Sequence, residues 1–289
     1  MIITRLTGGL GNQMFQYAFG RELSERHNTE LKLDVESYGP EANQMPPRTY
    51  DLGIFNVRET FASAEEIRQL ATRVSHDISD RILNRLLGVK ASHIREPHFH
   101  FSETAYRSSD NVYLSGYWQT ERYFRDVEPK LRSEFTFRDP MSENAVPIYD
   151  EITASNSVCV HVRRTDFLVN PLNGFYEVDY YRKAEELIRE RVSNPAYFVF
   201  SDDMDWCEAN LAFDGPTQFV SQDFGPLKFR DDLRLMSACK HFVVANSSFS
   251  WWAAWLNPDP AKTVIAPKAW FADRSLDTRD LIPEDWIRI

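Results

Sequence analysis

The sequence contains few cysteines, and their spacing does not suit cross-linking. Three occur among 289 residues, namely Cys159, Cys207 and Cys239. Their odd number argues against a disulfide framework, and their separations are not those of a metal site. We therefore expect reduced thiols and a cytoplasmic location.

A long hydrophobic run is also missing. A membrane-spanning helix needs about 20 mainly apolar residues. The longest candidate, residues 242–255, is interrupted by Asn246, Ser247, Ser248 and Ser250. The opening MIITRLTGGLGNQ lacks the apolar core of a secretory signal. We expect any membrane association to be peripheral and at the inner face of the membrane.

Positive charge is in deficit. The chain has 33 Lys and Arg against 43 Asp and Glu, so its formal net charge is -10 at pH 7. An acidic surface repels phosphate backbones, which argues against nucleic acid as a partner but is compatible with a local basic pocket for one phosphorylated ligand. A hydrophobic content of 43% is typical of globular chains, and this length suits two domains.

The hydrophobic pattern predicts an α/β fold. The first half opens with a predicted strand over 1–6, a turn at Gly8, Gly9 and Gly11, a helix over 12–26 and a strand over 31–34. Further on we predict a loop over 38–47, a helix from a Ser63–Glu66 capping box to about residue 74, a second helix ending before Gly88, and a strand over 111–115.

The second half alternates between strands and helices. Predicted strands span 157–163, 196–200, 217–220, 241–245 and 263–266, and predicted helices span 179–192, 229–239 and 248–256. Near-continuous apolar strands between helices indicate a parallel sheet covered on both faces. Polar residues and prolines over 139–147 predict a linker, which divides the chain into domains 1–145 and 146–289. Ligands of such folds bind at the carboxyl ends of the strands.

The glycine turn is the first candidate site. Its glycines let the backbone approach a ligand, and the helix that follows, which begins near Asn12, favours an anion at its start. A dinucleotide fingerprint would need another glycine where Met14 stands, so a nicotinamide enzyme is disfavoured. A plain tight turn between strand and helix is the alternative.

The second candidate is the segment His161-Val162-Arg163-Arg164-Thr165-Asp166. Strand alternation places His161 and Arg163 on one face, at the end of a strand. An arginine there suits a ligand phosphate, because its guanidinium can make two parallel hydrogen bonds. Asp166 would orient an arginine or accept a proton. A structural ion pair is the alternative.

The third candidate follows the strand 241–245. Ser247 or Ser248 is suited to cap the next helix, whose free backbone N–H groups would bind phosphate. Asn246 lies beside them, and Phe249 would stack on a ring or cover the site. The alternative is a capped core helix, in which the tryptophans at 251, 252 and 255 are packing residues, as we expect them to be.

Acidic residues complete the set of candidates. Asp202 and Asp203 end a strand, where a carboxylate would meet a ribose hydroxyl. Their adjacent spacing does not fit the alternating D-x-D of metal-dependent sugar transferases, and capping of the next helix is the alternative. Asp232 lies in a predicted helix and on its own is an ordinary polar-face residue.

Together these segments resemble glycosyltransferase family 11, the α-1,2-fucosyltransferases, over nearly the whole chain. The resemblance rests on GGLGNQMFQYAFGREL at the start, YDLGIF, GYWQTERYF, HVRRTD, FSDD, DLRLMSACKHFVVANSSFSWWAAWLN and VIAPKAWF. It implies a GT-B-like α/β fold of two Rossmann-like domains facing a central cleft, GDP-fucose as donor, and neither a cofactor nor a required metal.

The resemblance also implies roles for residues at matching positions. Arg163 would bind the diphosphate with support from His161, and Asp232 would recognise guanine. The remaining donor contacts would come from Asn12, Asp202, Asn246, Ser247, Ser248 and Phe249. The domain over 146–289 would bind GDP-fucose, and the domain over 1–145 would face the acceptor through Trp118 and Gln119, for which core packing is the alternative.

The implied reaction is an inverting transfer of L-fucose to the 2-hydroxyl of a terminal galactose in a glycan, with a lipid-linked oligosaccharide as an expected acceptor. Asp166 is the first candidate for the base and Glu177 the second, and a reaction without an enzyme base stays open. The rival hypotheses are a transferase that uses another nucleotide sugar and a non-catalytic glycan-binding protein on the same fold.

Overall fold

The computed structural model describes residues 1–39, 48–71, 91–165, 174–221, 224–225 and 228–289. The chain forms two compact units. The first unit comprises Met1–Arg138 with Arg279–Leu281, and the second comprises Asp139–Thr278 with Ile282–Ile289. No helix among the described residues is long and apolar enough to span a bilayer.

The first unit is built on a four-stranded parallel sheet in the order β2-β1-β4-β3. Its strands are β1 (Ile2–Arg5), β2 (Leu31–Asp34), β3 (His93–Arg95) and β4 (Val112–Ser115). Its described α-helices are α1 (Leu10–Arg26), α2 (Ala64–Leu70), α3 (Glu103–Tyr106) and α4 (Glu128–Glu134), with 3-10 turns at Glu36–Tyr38, Leu52–Ile54, Glu121–Tyr123 and Arg125–Val127.

Helix α1 lies in the core of this unit, and two of its charged residues, Arg21 and Glu22, are buried. Arg21 is 2% exposed and pairs with Glu134 at 2.9 Å. Glu22, also 2% exposed, pairs with Arg26 at 2.6 Å. A buried charge is tolerated when it is paired in this way. These ion pairs therefore allow the helix to be buried although it carries charged residues.

The second unit contains a six-stranded parallel sheet in the order β10-β9-β8-β5-β6-β7. Its strands are β5 (Asn156–Val162), β6 (Pro195–Ser201), β7 (Thr217–Phe219), β8 (His241–Val243), β9 (Val264–Ala266) and β10 (Ile287–Arg288). Its described α-helices are α5 (Val146–Ala154), α6 (Val178–Arg191), α7 (Met204–Asn210), α8 (Lys228–Ala238) and α9 (Ser248–Leu256), after a 3-10 turn at Glu143–Ala145.

The prediction of an α/β fold with parallel sheets is confirmed. The Ser63–Glu66 capping box is present, although α2 ends at Leu70. Helix α1 begins at Leu10, two residues before its predicted start. The helix predicted to end before Gly88 lies outside the described residues.

The predicted linker over 139–147 is only partly a linker. It contains a 3-10 turn and the start of α5, in which Pro147 occupies the first helical turn. Proline is favoured there because the N–H group that it lacks would have no partner within the helix. All three cysteines are buried and form no disulfide.

Candidate functional site

Three segments of the second unit end at one edge of its sheet. Val162 of β5 pairs with Ser201 of β6, and Val160 of β5 pairs with Val243 of β8. Arg163 and Asp202 therefore follow directly at adjacent strand ends, and Asn246 lies three residues beyond Val243. This is the carboxyl edge, where ligands of open α/β sheets bind.

Arg163 is held at this edge by Asp202. Its Nε atom lies 3.2 Å from Oδ2 of Asp202, and 26% of its side chain is exposed. The same carboxylate accepts the backbone N–H groups of Arg164 at 2.9 Å and Thr165 at 3.3 Å, and the Thr165 hydroxyl. Asp202 thus fixes the backbone turn that carries Arg163.

Arg164 occupies a different environment from its neighbour. It is 8% exposed, and its guanidinium carbon lies 3.9 Å from the ring centroid of Trp206. Its Nε lies 3.3 Å from Oδ2 of Asp203, and its Nη1 lies 3.7 Å from a carboxylate oxygen of Glu177. Both arginines therefore pair with an aspartate, as in the alternative interpretation, but Arg164 is buried, whereas part of the Arg163 side chain is exposed.

Asp203 serves a structural purpose at the same edge. Its Oδ1 accepts the backbone N–H of Trp206 at 3.3 Å and caps α7. The alternative that one of the two aspartates caps the next helix is therefore confirmed for Asp203.

His161 lies below Arg163 and is 6% exposed. The pKa of its imidazole is lowered to about 3, mainly because the ring is buried. The positive charge of Arg163 also lowers this pKa, and Asp202 opposes the shift. Nδ1 of His161 has no hydrogen-bond partner among the described residues, and the ring centroid lies 6.2 Å from that of Phe249. At neutral pH the ring is uncharged and has a buried nitrogen that a ligand would satisfy.

Helix α9 begins at the same carboxyl edge of the sheet. The Ser247 hydroxyl accepts the N–H of Phe249 at 3.3 Å and caps the helix, which starts at Ser248. The start of a helix offers backbone N–H groups and a positive dipole end to an anion.

Asn246, two residues before α9, holds the start of this helix through hydrogen bonds to two other segments. Its amide nitrogen donates to the backbone carbonyl of Trp270 at 3.0 Å and to that of Gly174 at 3.4 Å. The tryptophans of α9 are buried, as expected for packing residues.

Asp232 lies in α8 and is mostly buried. Both of its carboxylate oxygens lie 2.8 Å from Nζ of Lys228, one helical turn earlier. Burial raises the pKa of Asp232, and Lys228 opposes that shift. A base edge that donates two hydrogen bonds would satisfy the same two oxygens. The preceding Asp231 is fully buried and pairs with Arg230 at 3.2 Å.

The glycine turn of the first unit is closely packed. Gly8 has φ of 77°, and a Cβ atom there would lie 2.6 Å from Nδ2 of Asn12. Oδ1 of Asn12 accepts a hydrogen bond from Nε2 of Gln119 at 2.8 Å. Asn12 and Gln119, predicted on opposite sides of the transfer reaction, are thus partners at one edge of the sheet.

Trp118 does not face solvent. It is 0% exposed, and its ring packs against Phe19 and Tyr123 with centroid distances of 4.8 and 5.4 Å. The expectation that its face is available to a sugar is therefore wrong for this structure, and the core-packing alternative describes it. Asp166, the first candidate for the base, lies outside the described residues.

Two residues near Trp118, Glu96 and Tyr117, were not predicted to belong to the site. Glu96 accepts the N–H groups of Tyr117 at 2.7 Å and Trp118 at 2.9 Å. Glu96 directly follows β3, a strand of three residues that was not predicted. Prediction of that strand would have placed Glu96 at the carboxyl edge of the sheet. Among the described residues, no three His, Cys, Asp or Glu side chains are grouped so as to hold a metal ion.

Comparison with known proteins identifies related sequences and folds. Residues 56–289 match the model of glycosyl transferase family 11. The chain is 34% identical over 300 residues to an alpha-1,2-colitosyltransferase of Escherichia coli, which covers 100% of this chain and 99% of the relative. It is 33% identical over 157 residues to galactoside alpha-(1,2)-fucosyltransferase 1 of Aotus azarae, which covers 50% of this chain and 42% of that relative.

A solved structure supports the predicted fold class. The crystal structure of POFUT1 in complex with GDP-fucose has a TM-score of 0.53 and 12% identity to this chain, and the match covers 91% of this chain and 97% of that one. At that identity the likeness concerns the fold alone. It agrees with the predicted GT-B-like α/β architecture built on two parallel sheets.

Proposed function

The chain belongs to glycosyltransferase family 11 and is a glycosyltransferase, and from this premise we propose that it is an inverting α-1,2-fucosyltransferase. The proposed reaction moves L-fucose from GDP-β-L-fucose to the 2-hydroxyl of a terminal galactose in a glycan. The second unit binds the donor and the first unit faces the acceptor. A lipid-linked oligosaccharide at the inner face of the membrane is the proposed natural acceptor.

The observation that carries the proposal is the grouping of Arg163, His161 and the start of α9 at one sheet edge. Arg163 is oriented by Asp202 at 3.2 Å and remains partly exposed. His161 is neutral, with a buried nitrogen that lacks a partner among the described residues. An arginine, a neutral hydrogen-bonding ring and a helix start suit a diphosphate, because they supply charge, a directed hydrogen bond and backbone N–H groups.

The proposed chemistry is a single displacement. The acceptor O2 attacks C1 of fucose while the bond from C1 to the β-phosphate oxygen breaks, which inverts the β linkage to α. Negative charge grows on the leaving GDP, and Arg163 with the start of α9 stabilises it. Removal of one such interaction typically costs about 2.7–4 kcal/mol of activation free energy, or about 10²–10³ in rate.

The proton of the acceptor hydroxyl has three proposed destinations. Asp166 is the first, and it lies three residues beyond Arg163 in the sequence. Glu177 is a weaker candidate for the base, because its carboxylate lies 3.7 Å from the Arg164 guanidinium. Its side chain is nevertheless 63% exposed. The departing phosphate is the third, and it requires no enzyme base. Replacement of Asp166 by Asn separates the first destination from the others through its pH–rate profile.

The remaining site residues have proposed contacts with the donor. Asp232 accepts hydrogen bonds from guanine after exchange of its contact with Lys228. Asp202 acts by orienting Arg163, with or without a ribose contact. In the second unit Ser247, Ser248, Phe249 and Asn246 form the helix-start region, and in the first unit Asn12 approaches the sugar from its glycine turn. No divalent metal is required in this proposal.

A second candidate differs only in the sugar. One relative that matches this chain over its full length is named for colitose transfer, and colitose is fucose without its 3-hydroxyl. The same site would then use GDP-colitose. A pocket built to hydrogen-bond that hydroxyl rejects the analogue that lacks it much more strongly than an apolar pocket rejects the added hydroxyl.

The test incubates the purified chain with GDP-fucose and, separately, GDP-colitose in the presence of a panel of β-galactosides. The proposal predicts acceptor-dependent GDP release with GDP-fucose and an α-1,2 linkage in the NMR spectrum of the product. Preference for GDP-colitose would replace fucose by the second candidate. Binding of galactosides without GDP release from any nucleotide sugar would contradict transfer and favour a non-catalytic glycan-binding protein.

A further inference from the structure

The carboxyl edge of the first sheet exposes an aromatic side chain, that of Tyr117. Tyr117 is 38% exposed, whereas the adjacent Trp118 is 0% exposed. Both belong to the segment Gly116–Gln119, which directly follows β4 and is called the GYWQ loop below. Gln119 of this loop donates to Asn12 at 2.8 Å, so the loop lies beside the glycine turn that follows β1.

Glu96 fixes the backbone of the GYWQ loop. Its own N–H donates to the carbonyl of Ser115 at 2.9 Å, which keeps it beside the end of β4. Its two carboxylate oxygens then accept the N–H groups of Tyr117 and Trp118, at 2.7 and 2.9 Å. A Cβ atom on Gly116 would lie 2.4 Å from Cβ of Glu96, so this approach requires glycine.

The second anchor of the loop is the Trp118 side chain. Trp118 has φ of 58°, a left-handed conformation that is uncommon for a bulky residue. Such a conformation persists only where the surroundings determine it. Here Glu96 holds the backbone N–H while Phe19 and Tyr123 enclose the ring. The turn at Trp118 buries one aromatic ring and leaves the preceding one at the surface.

Tyr38 is a polar side chain within electrostatic range of Tyr117. It also interacts electrostatically with Asp51 and Arg48, and its hydroxyl donates to the carbonyl of Gly8 at 3.0 Å. An exposed aromatic ring in a loop that also carries an amide side chain suits a sugar, which offers an apolar face and a rim of hydroxyls.

We propose that the ring of Tyr117 contacts the acceptor sugar and that Glu96 is a positioning residue that presents it. This inference rests on the proposed function, since it presumes a glycan acceptor. It replaces Trp118 by Tyr117 as the aromatic group of the acceptor site. Glu96 itself does not touch the sugar and acts through the backbone of the GYWQ loop.

The first arm of the test measures the Tyr117 contact with GDP-fucose as donor and N-acetyllactosamine as acceptor. Tyr117→Ala should raise the acceptor KM about two- to tenfold, because the contact between the aromatic ring and the sugar is lost. Hydrolysis of GDP-fucose in the absence of acceptor should not change, and Tyr117→Phe should restore most of the acceptor KM. The control is Phe61→Ala, which removes another exposed aromatic ring, 48% exposed, from the same unit.

The second arm measures Glu96 by a double-mutant cycle. Glu96→Gln loses one of the two N–H acceptors and should raise the acceptor KM in the wild-type background. In the Tyr117→Ala background it should add nothing, since coupled residues are not additive. Should Glu96→Gln fail to fold, Glu96→Asp keeps the carboxylate but withdraws it from the loop, and the same cycle applies.

The outcomes separate this inference from the proposed function. Normal transfer by the wild type with an unchanged acceptor KM in Tyr117→Ala would overturn the sugar contact. Additive effects of Glu96→Gln and Tyr117→Ala would overturn the positioning role. Absence of both hydrolysis and transfer in the wild type would instead contradict the proposed function.

Discussion

Replacement of His161 by Gln should make the protein less sensitive to acid. In the folded protein burial and Arg163 hold the pKa of His161 at about 3, against a usual 6.5. In the unfolded chain the imidazole binds a proton as the pH falls through 6.5, and in the folded chain it does not. The wild type therefore loses stability between these two pKa values, and full stability from this source is present above pH 6.5.

The size of the effect follows from the same pKa shift. Below the unfolded pKa the loss approaches about 1.4 kcal/mol per pH unit. Between about pH 7.5 and pH 4.5 the integrated loss is about 3 kcal/mol. Carboxyl groups with raised pKa values, such as Glu96 and Asp232, change stability in the opposite direction. Their contributions cancel when the wild type is compared with His161→Gln at each pH.

The assay is urea unfolding of both proteins across this pH range, followed by tryptophan fluorescence. We expect acidification to change the difference in unfolding free energy between wild type and variant by about 3 kcal/mol in favour of the variant. Parallel stability curves would refute the conclusion that His161 is buried and neutral. They would also remove the directed hydrogen bond assigned to it at the diphosphate.

Three further perturbations test other parts of the site. Asp202→Asn should lower kcat about tenfold or more, because the neutral amide cannot form an ion pair with Arg163. Steady-state rates at saturating substrates measure this loss, and an unchanged kcat would contradict the orienting role of Asp202. Asp232→Asn should raise the KM for GDP-fucose about tenfold with a smaller change in kcat, because one of the two oxygens that accept hydrogen bonds from guanine is lost. Initial rates at a saturating concentration of the acceptor sugar measure this KM, and an unchanged KM would exclude the guanine contact. Treatment with EDTA should leave the initial rate within about twofold of the untreated rate, whereas abolition of activity and its rescue by magnesium would show a required metal.

The second sheet could be predicted because its strands are buried on both faces. The apolar run 157–162 of β5 and the regular helices between strands are strong local signals. β3 and β10 have three and two residues, and they are strands only because a longer neighbour pairs with them. Pairing between distant segments leaves no local pattern. Pro147 was interpreted as a linker residue, but it stands where a helix accepts proline.

The candidate site could be predicted in outline and not in detail. Parallel strands bring their carboxyl ends together, so Arg163, Asp202 and the start of α9 were expected at one edge. The environment of Arg164 depends on Trp206, more than forty residues away, whose ring packs against its guanidinium. The exposed aromatic residue was predicted to be Trp118 and is instead Tyr117, for a similar reason. The left-handed turn at Trp118 is stabilised by Glu96 and by rings that are distant in the sequence.

The kcat of Arg163→Ala tests the central claim most directly. The variant should turn over GDP-fucose at least about 10²-fold more slowly than wild type while its thermal unfolding is unchanged, and Arg163→Lys should recover little of the rate. Arg182→Ala, which removes an arginine that is 69% exposed on α6, is the matched control and should keep the wild-type rate. Turnover near the wild-type rate by folded Arg163→Ala would contradict the assignment of Arg163 to the departing diphosphate.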